Sequence, residues 1–259
     1  MIVQVEGLVV RGFRMTESSK VVILYTRDHG KVRLVAKGAR RPKSKFGASL
    51  EALTWGRYVF FKRENRELQT LTDAEIIHAF GDVKKDYNRL AAGSVICELL
   101  DQMTQDEDRN PLLFRHALEA LEWVGRIDMS ALDLPVWAFQ LRASEALGYR
   151  PHLSSCVTCG SAPEGSSLGF STTLGGVLCP RHREQGMGVS REMITLLARL
   201  QAEATDPVDS ERLPSVSRDE VSRLLRTFLN HHMASQYRPK AYAFFDKLMA
   251  AERAVPFQT

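Results

Sequence analysis

The sequence predicts a small five-stranded β-barrel joined to an α-helical domain that contains a zinc-ribbon-like insertion. Three observations predict it. The apolar period changes from two to 3.6 near residue 80, a Cys-x-x-Cys pair and a Cys-x-x-His pair stand between residues 151 and 188, and positive charge gathers in the first third of the chain. Residues 1–80 hold 15 Lys and Arg against 8 Asp and Glu, a net +7, so the other 179 residues carry −3 of the overall +4. A basic partner surface is therefore expected at the N-terminus. Hydrophobic residues make up 44% and charged residues 25% without a long apolar run, and Met1 to Glu6 lack the basic head and apolar core of a signal peptide. A cytoplasmic location and no membrane partner are expected.

Segments 3–10, 20–26, 31–36, 50–61 and 68–77 are rich in Val, Leu, Thr and aromatics and read as strands. Asp28-His29-Gly30 and Glu64-Asn65-Arg66 are polar links of hairpin length. Five short strands in about eighty residues fit a closed barrel, and the oligonucleotide-binding (OB) barrel is the commonest solution of that size, with an SH3-like barrel as competitor.

From Asp82 the helical period takes over. Leu90, Ile96, Leu99, Leu100 and Met103 share one face. Asn110-Pro111 caps and starts a second helix through Leu113, Leu118, Leu121 and Val124, and a third spans 134–147 and stops at Gly148. Residues 151–188 break the pattern. Helices resume after Ser190, after the capping box Ser217-Arg218-Asp219-Glu220, and near Lys240, with a polar loop over 204–214. The expected organisation is 1–80 barrel, 81–150 first helical part, 151–188 zinc module and 189–259 second helical part.

Cys156-Val157-Thr158-Cys159-Gly160 and Cys179-Pro180-Arg181-His182, with nineteen residues between Cys159 and Cys179, match a tetrahedral structural zinc site of three thiolates and one imidazole. Gly175-Gly176, between Phe170 to Thr173 and Val177-Leu178, suggests a hairpin that brings the second pair to the first. Four protein ligands leave no open position, so the zinc is expected to hold the fold and not to catalyse. His152 is the alternative to His182 as fourth ligand, Cys97 on an apolar helix face reads as core, and a redox pair lacks its strand-to-helix context.

Residues 31–45 carry seven cations, Lys31, Arg33, Lys37, Arg40, Arg41, Lys43 and Lys45, and no acid. Such a flexible link between two barrel strands can follow a phosphate backbone. Among Phe13, Tyr25, Phe46, Trp55, Tyr58, Phe60 and Phe61, alternation sends about half inward, and Phe46, inside the basic segment, is the best candidate for base stacking. His231-His232 reads as a solvated helix end, and Arg238, Lys240 and Lys247 read as either a second phosphate patch or complements to a helix dipole. No phosphate-binding loop of the Walker type and no nucleophile elbow is present.

The whole arrangement resembles the RecO family of bacterial DNA repair and recombination mediators. The resemblance rests on the strand Val5-Glu6-Gly7-Leu8-Val9-Val10, the 20–34 hairpin leading into Val35-Ala36-Lys37-Gly38-Ala39-Arg40, the segment Leu147-Gly148-Tyr149-Arg150-Pro151, and the set Cys156, Cys159, Cys179 and His182. It implies an OB barrel, a helical domain with a zinc module, and a non-enzymatic role in RecF-pathway repair. It also implies binding to single- and double-stranded DNA, strand annealing, and work with RecR and single-stranded DNA-binding protein (SSB) to load RecA. Many members have cysteine as the fourth ligand, so His182 departs from the pattern. Two other functions compete: an RNA-binding or transcription-associated module, and a zinc-dependent nucleobase deaminase. Against the deaminase, His182-Arg183-Glu184 lies downstream of the cysteine pair and Ser155 replaces the proline expected there.

Overall fold

The computed structural model describes residues 1–64, 66–202, 216–233 and 240–254. Asn65 of the second polar link, the 204–214 loop and Arg238 lie outside the described residues. Packing groups the chain into two compact units, one of residues 1–126 with 239–259 and one of residues 127–238.

The first unit is built on a closed barrel of β1 (Ile2–Arg14), β2 (Lys20–Thr26), β3 (Gly30–Ala36), β4 (Trp55–Phe61) and β5 (Leu68–His78), in the order β1-β2-β3-β5-β4. All neighbours are antiparallel except β3 and β5. Closure leaves no unpaired edge. Alternate side chains Val3, Val5, Val9, Val22, Leu24, Val32, Leu34, Tyr58, Phe60 and Leu71 fill the interior, where the Tyr58 hydroxyl donates to the Ser49 carbonyl at 2.9 Å. The fourth strand begins at Trp55 and not at residue 50. Gly47–Leu50 forms a 3-10 turn and Leu53 takes a left-handed φ of 59°, so the apolar run before Trp55 is core-filling loop.

Helices α1 (Gly81–Lys85), α2 (Tyr87–Met103), α3 (Pro111–Arg126) and α7 (Lys240–Ala254) belong to the same unit. Asp86 caps α2 by accepting from the Asn88 and Arg89 amides, and the Asn110 side chain accepts from Leu113 N at 3.0 Å to cap α3. The carboxylate of Glu98, on α2, accepts from the Lys240 and Ala241 amides at 2.8 and 2.9 Å and so caps α7 from a distant part of the chain.

In the second unit, α4 (Asp133–Ala146) is buried on almost every side and ends before Gly148, whose φ of 90° suits a helix stop. It packs against α5 (Arg191–Gln201) and α6 (Arg218–His232). Trp137 donates to Ser222 Oγ at 3.1 Å, and Arg218 pairs with the buried Asp133 at 2.8 Å. Ser217 caps α6 as its capping box predicts, and Ser190 caps α5 by accepting from the Met193 amide. Between α4 and α5 lies a three-stranded antiparallel sheet, β7-β6-β8, made of β6 (Ser167–Ser171), β7 (Gly176–Leu178) and β8 (Met187–Ser190).

Candidate nucleic-acid interface and metal centre

The β6–β7 hairpin forms through Gly175, whose φ of 75° places it in the left-handed region. Its return strand ends at Leu178 and delivers Cys179 and His182 to the turn that carries Cys156 and Cys159. The Cys156–Cys159 turn closes with Gly160 N donating to the Cys156 carbonyl at 2.8 Å, and His182 N closes the second turn onto the Cys179 carbonyl at 2.9 Å. The three sulfurs and the imidazole nitrogen lie within 4.8 Å of one another. Tetrahedral zinc with bonds of about 2.3 Å to sulfur and about 2.0 Å to nitrogen puts sulfurs ~3.8 Å apart and sulfur and nitrogen ~3.5 Å apart. Cys159 and Cys179 stand 3.8 Å apart, and His182 Nδ1 is 3.7 Å from Cys156 Sγ and 3.3 Å from Cys179 Sγ. The donor set fits such an ion, and these four residues could hold a metal.

The two classes of cysteine differ in chemistry. Burial pushes the Cys97 thiol up to about 12, which makes it inert packing. Burial also opposes ionisation of Cys156, but the backbone N–H groups of Cys179, Cys159 and Thr158 aimed at its sulfur outweigh that and bring it down to about 6. A thiolate is the form that ligates metal. His152 Nε2 instead meets Ser155 Oγ at 2.7 Å and lies outside the cluster.

The basic segment divides in two. Lys31 is buried: its ammonium donates to the Asp101 and Thr104 carbonyls at 2.6 and 2.8 Å and pairs with the Asp101 carboxylate at 3.5 Å. It fastens β3 to the end of α2 and is not available to a ligand, which corrects its place among the DNA contacts. Arg33 faces Asp106 at 3.2 Å and Glu67 at 3.8 Å. Phe46 is 5% exposed and belongs to the barrel core, so it cannot stack on a base either. Its chain position misled because an apolar ring in a polar loop also serves as an anchor.

Lys37, Arg40, Arg41, Lys43 and Lys45 remain exposed. The segment that carries them is a run of hydrogen-bonded turns, with Arg41 N donating to the Gly38 carbonyl and Ser44 N to the Arg41 carbonyl, and not the flexible link expected. Arg40 ties these turns to the β1–β2 connection through its amide on the Ser18 carbonyl and its guanidinium on the Thr16 and Glu17 carbonyls. Lys37, Arg41, Lys43 and Lys45 form no ion pair among the described residues.

Away from both features, the His232 ring stacks on Tyr149 with centroids 5.2 Å apart and is not a solvated helix end. Burial, with His231 beside it, lowers its pKa from the ordinary 6.5. Among the described residues no helix is long and apolar enough to cross a membrane.

A closed five-stranded barrel with an exposed cationic loop, and a three-cysteine, one-histidine ribbon set among helices, define an OB-barrel protein with a ribbon whose four donors could hold a metal. Two family models match in sequence, the recombination protein O N terminal over residues 1–80 and the recombination protein O C terminal over residues 84–241. The chain belongs to the RecO family. It is similar to the DNA repair protein RecO of Symbiobacterium thermophilum, with 31% identity over 95% of this chain and 98% of the relative. It is also similar to that of an Exiguobacterium species, with 34% identity over 91% of each chain, and to that of Bacillus mycoides, with 34% identity over 89% of this chain and 90% of the relative. This membership supports a role in DNA repair and recombination.

Proposed function

We propose that the chain is a DNA-binding recombination mediator of the RecF pathway. It anneals complementary strands and, with RecR, helps load RecA onto single-stranded DNA coated with SSB. The observation that carries this reading is the run of exposed cations Lys37, Arg40, Arg41, Lys43 and Lys45 on the barrel of a RecO-family chain. Annealing requires two polyanions to approach, and cations that neutralise phosphates leave base edges free to pair. The basic loop binds the backbone of both single- and double-stranded DNA, and one structural zinc held by Cys156, Cys159, Cys179 and His182 maintains the ribbon. No step of annealing calls for a nucleotide. The test is the rate of duplex formation from complementary strands precoated with SSB, with and without the protein. Acceleration without ATP is the expected result, and a strict ATP requirement or no acceleration would overturn the proposal.

A further inference from the structure

The first strand presents an aromatic surface that backbone contacts alone leave unused. Up to Val9, the odd positions of β1 enter the barrel, and Val3, Val5 and Val9 belong to its core. Unbroken alternation would bury Arg11 and Phe13 too. A bulge intervenes: Val9 pairs with Leu24 and Arg11 with Ile23, so Val10 is the extra residue and the two side chains beyond it emerge. Phe13 is 48% exposed, although Val21 opposite it on β2 is buried.

The surroundings of Phe13 suit a nucleic acid. The Arg11 guanidinium stands 6.0 Å from the centre of the Phe13 ring, and although it reaches Asp101 at 3.5 Å its side chain is 61% exposed. Three residues after Phe13, Thr16 accepts the Arg40 hydrogen bond that fastens the cationic loop to this connection. Three residues span at most ~11 Å, so phosphates on that loop lie within a few nucleotides of the ring. Phe61, the other half-exposed phenylalanine of the barrel, pairs with the exposed Ile2, and no cation stands over its ring among the described residues.

We propose that Phe13 is a stacking platform for an unpaired base of single-stranded DNA, with Arg11 beside it and the phosphates held by the Lys37 to Lys45 loop. The inference rests on the reading that this loop binds DNA. It adds strand discrimination to it, because in a duplex both faces of each base are already stacked and only the backbone is offered. The charged loop serves both forms, whereas the ring serves only the single strand.

The test compares full-length wild type with Phe13→Leu, which keeps apolar cover but loses the aromatic face, and with Phe61→Leu and Arg41→Ala/Lys43→Ala. Affinity is measured at fixed salt for a single-stranded oligonucleotide, an abasic strand of equal length and a blunt duplex. Wild type should prefer the base-bearing strand over the abasic one by about tenfold, and Phe13→Leu should abolish that preference while duplex affinity and the salt slope stay unchanged. Phe13→Trp should restore it, with indole fluorescence quenched on binding. Retention of the preference by Phe13→Leu, its loss in Phe61→Leu, or its absence from wild type would overturn the stacking role. An unchanged salt slope in Arg41→Ala/Lys43→Ala would instead overturn the loop reading, and the two failures are thus separable.

Discussion

The barrel and the ribbon are both small antiparallel β-structures, yet different forces hold them. The barrel encloses thirteen buried residues in one core, whereas the cluster around the ribbon's donors consists of Cys156, Leu178 and Cys179 with Val157 against it, and the strands behind it add the buried Leu168, Phe170, Val177 and Val189. Within that cluster, Cys156 and Cys179 are proposed metal ligands. Short strands that cannot surround enough apolar surface need another source of order, and a bound ion supplies it by joining turns that the chain alone would hold loosely. The barrel's order therefore rests on its own core, whereas the two donor turns of the ribbon are where an ion, if held, would add order.

The sharpest way to break this comparison is to remove the metal. Cys156→Ser with Cys179→Ser should eliminate one equivalent of zinc, and because structural zinc contributes ~10 kcal/mol or more, residues 151–188 should lose hydrogen-exchange protection while the barrel keeps it. Less than about half an equivalent of zinc in wild type purified without chelator would refute the assignment.

A smaller effect, on the other side of the comparison, should follow Phe46→Ala. Truncating a fully packed ring costs ~3–5 kcal/mol, so the denaturation midpoint of the barrel should fall with metal content unchanged. Preserved stability would mean that Phe46 is not the anchor its burial indicates.

Removing surface charge should leave both regions folded. Each phosphate contact to a single strand contributes about 0.7 to the slope of log affinity against log salt, so Arg41→Ala with Lys43→Ala should reduce that slope by about one to two units with little change in stability. These two are preferable to Arg40, whose loss would also release the β1–β2 connection.

The smallest effect concerns pH. Because burial holds the His232 pKa below its ordinary 6.5, the unfolded chain binds the proton more readily. Its contribution to stability is complete above that value and is lost as pH falls through the lower folded value. His232→Gln should therefore show a shallower decline of melting temperature between pH 7.5 and 5 than wild type, since both retain His182. Identical slopes would remove His232 from the acid response.

Periodicity was enough to find the barrel strands and the helices, because alternation and the 3.6-residue repeat are direct consequences of one-sided burial. Cysteine spacing was enough to find the four clustered donors, since two-residue gaps limit how a turn can aim its ligands. The DNA-contact set was less legible. Lys31 is the same cation in sequence as Lys37, but only the fold shows that the end of α2 supplies its acceptors. Phe46, expected to stack, is buried, and Phe13, which alternation alone left unassigned, is exposed, both for local reasons: a turn drives one ring into the core, and one extra residue in β1 turns the other out. The grouping of α1, α2, α3 and α7 with the barrel was also hidden, because an amphipathic face records that something covers it and not which element does.

The capping of α7 by Glu98 bears on how the chain is made. The acceptor on α2 and the amides it serves are separated by 142 residues, and the whole second unit is encoded between them. At about 5–20 residues per second, a ribosome needs about 7–28 s to travel that distance. Throughout that interval the α2 surface destined for α7 stands uncovered, and by its end the barrel strands and all of the second unit have been translated. The unit begun first is thus completed last, and a nascent chain stalled before residue 240 would carry the barrel with one of its helical partners still missing.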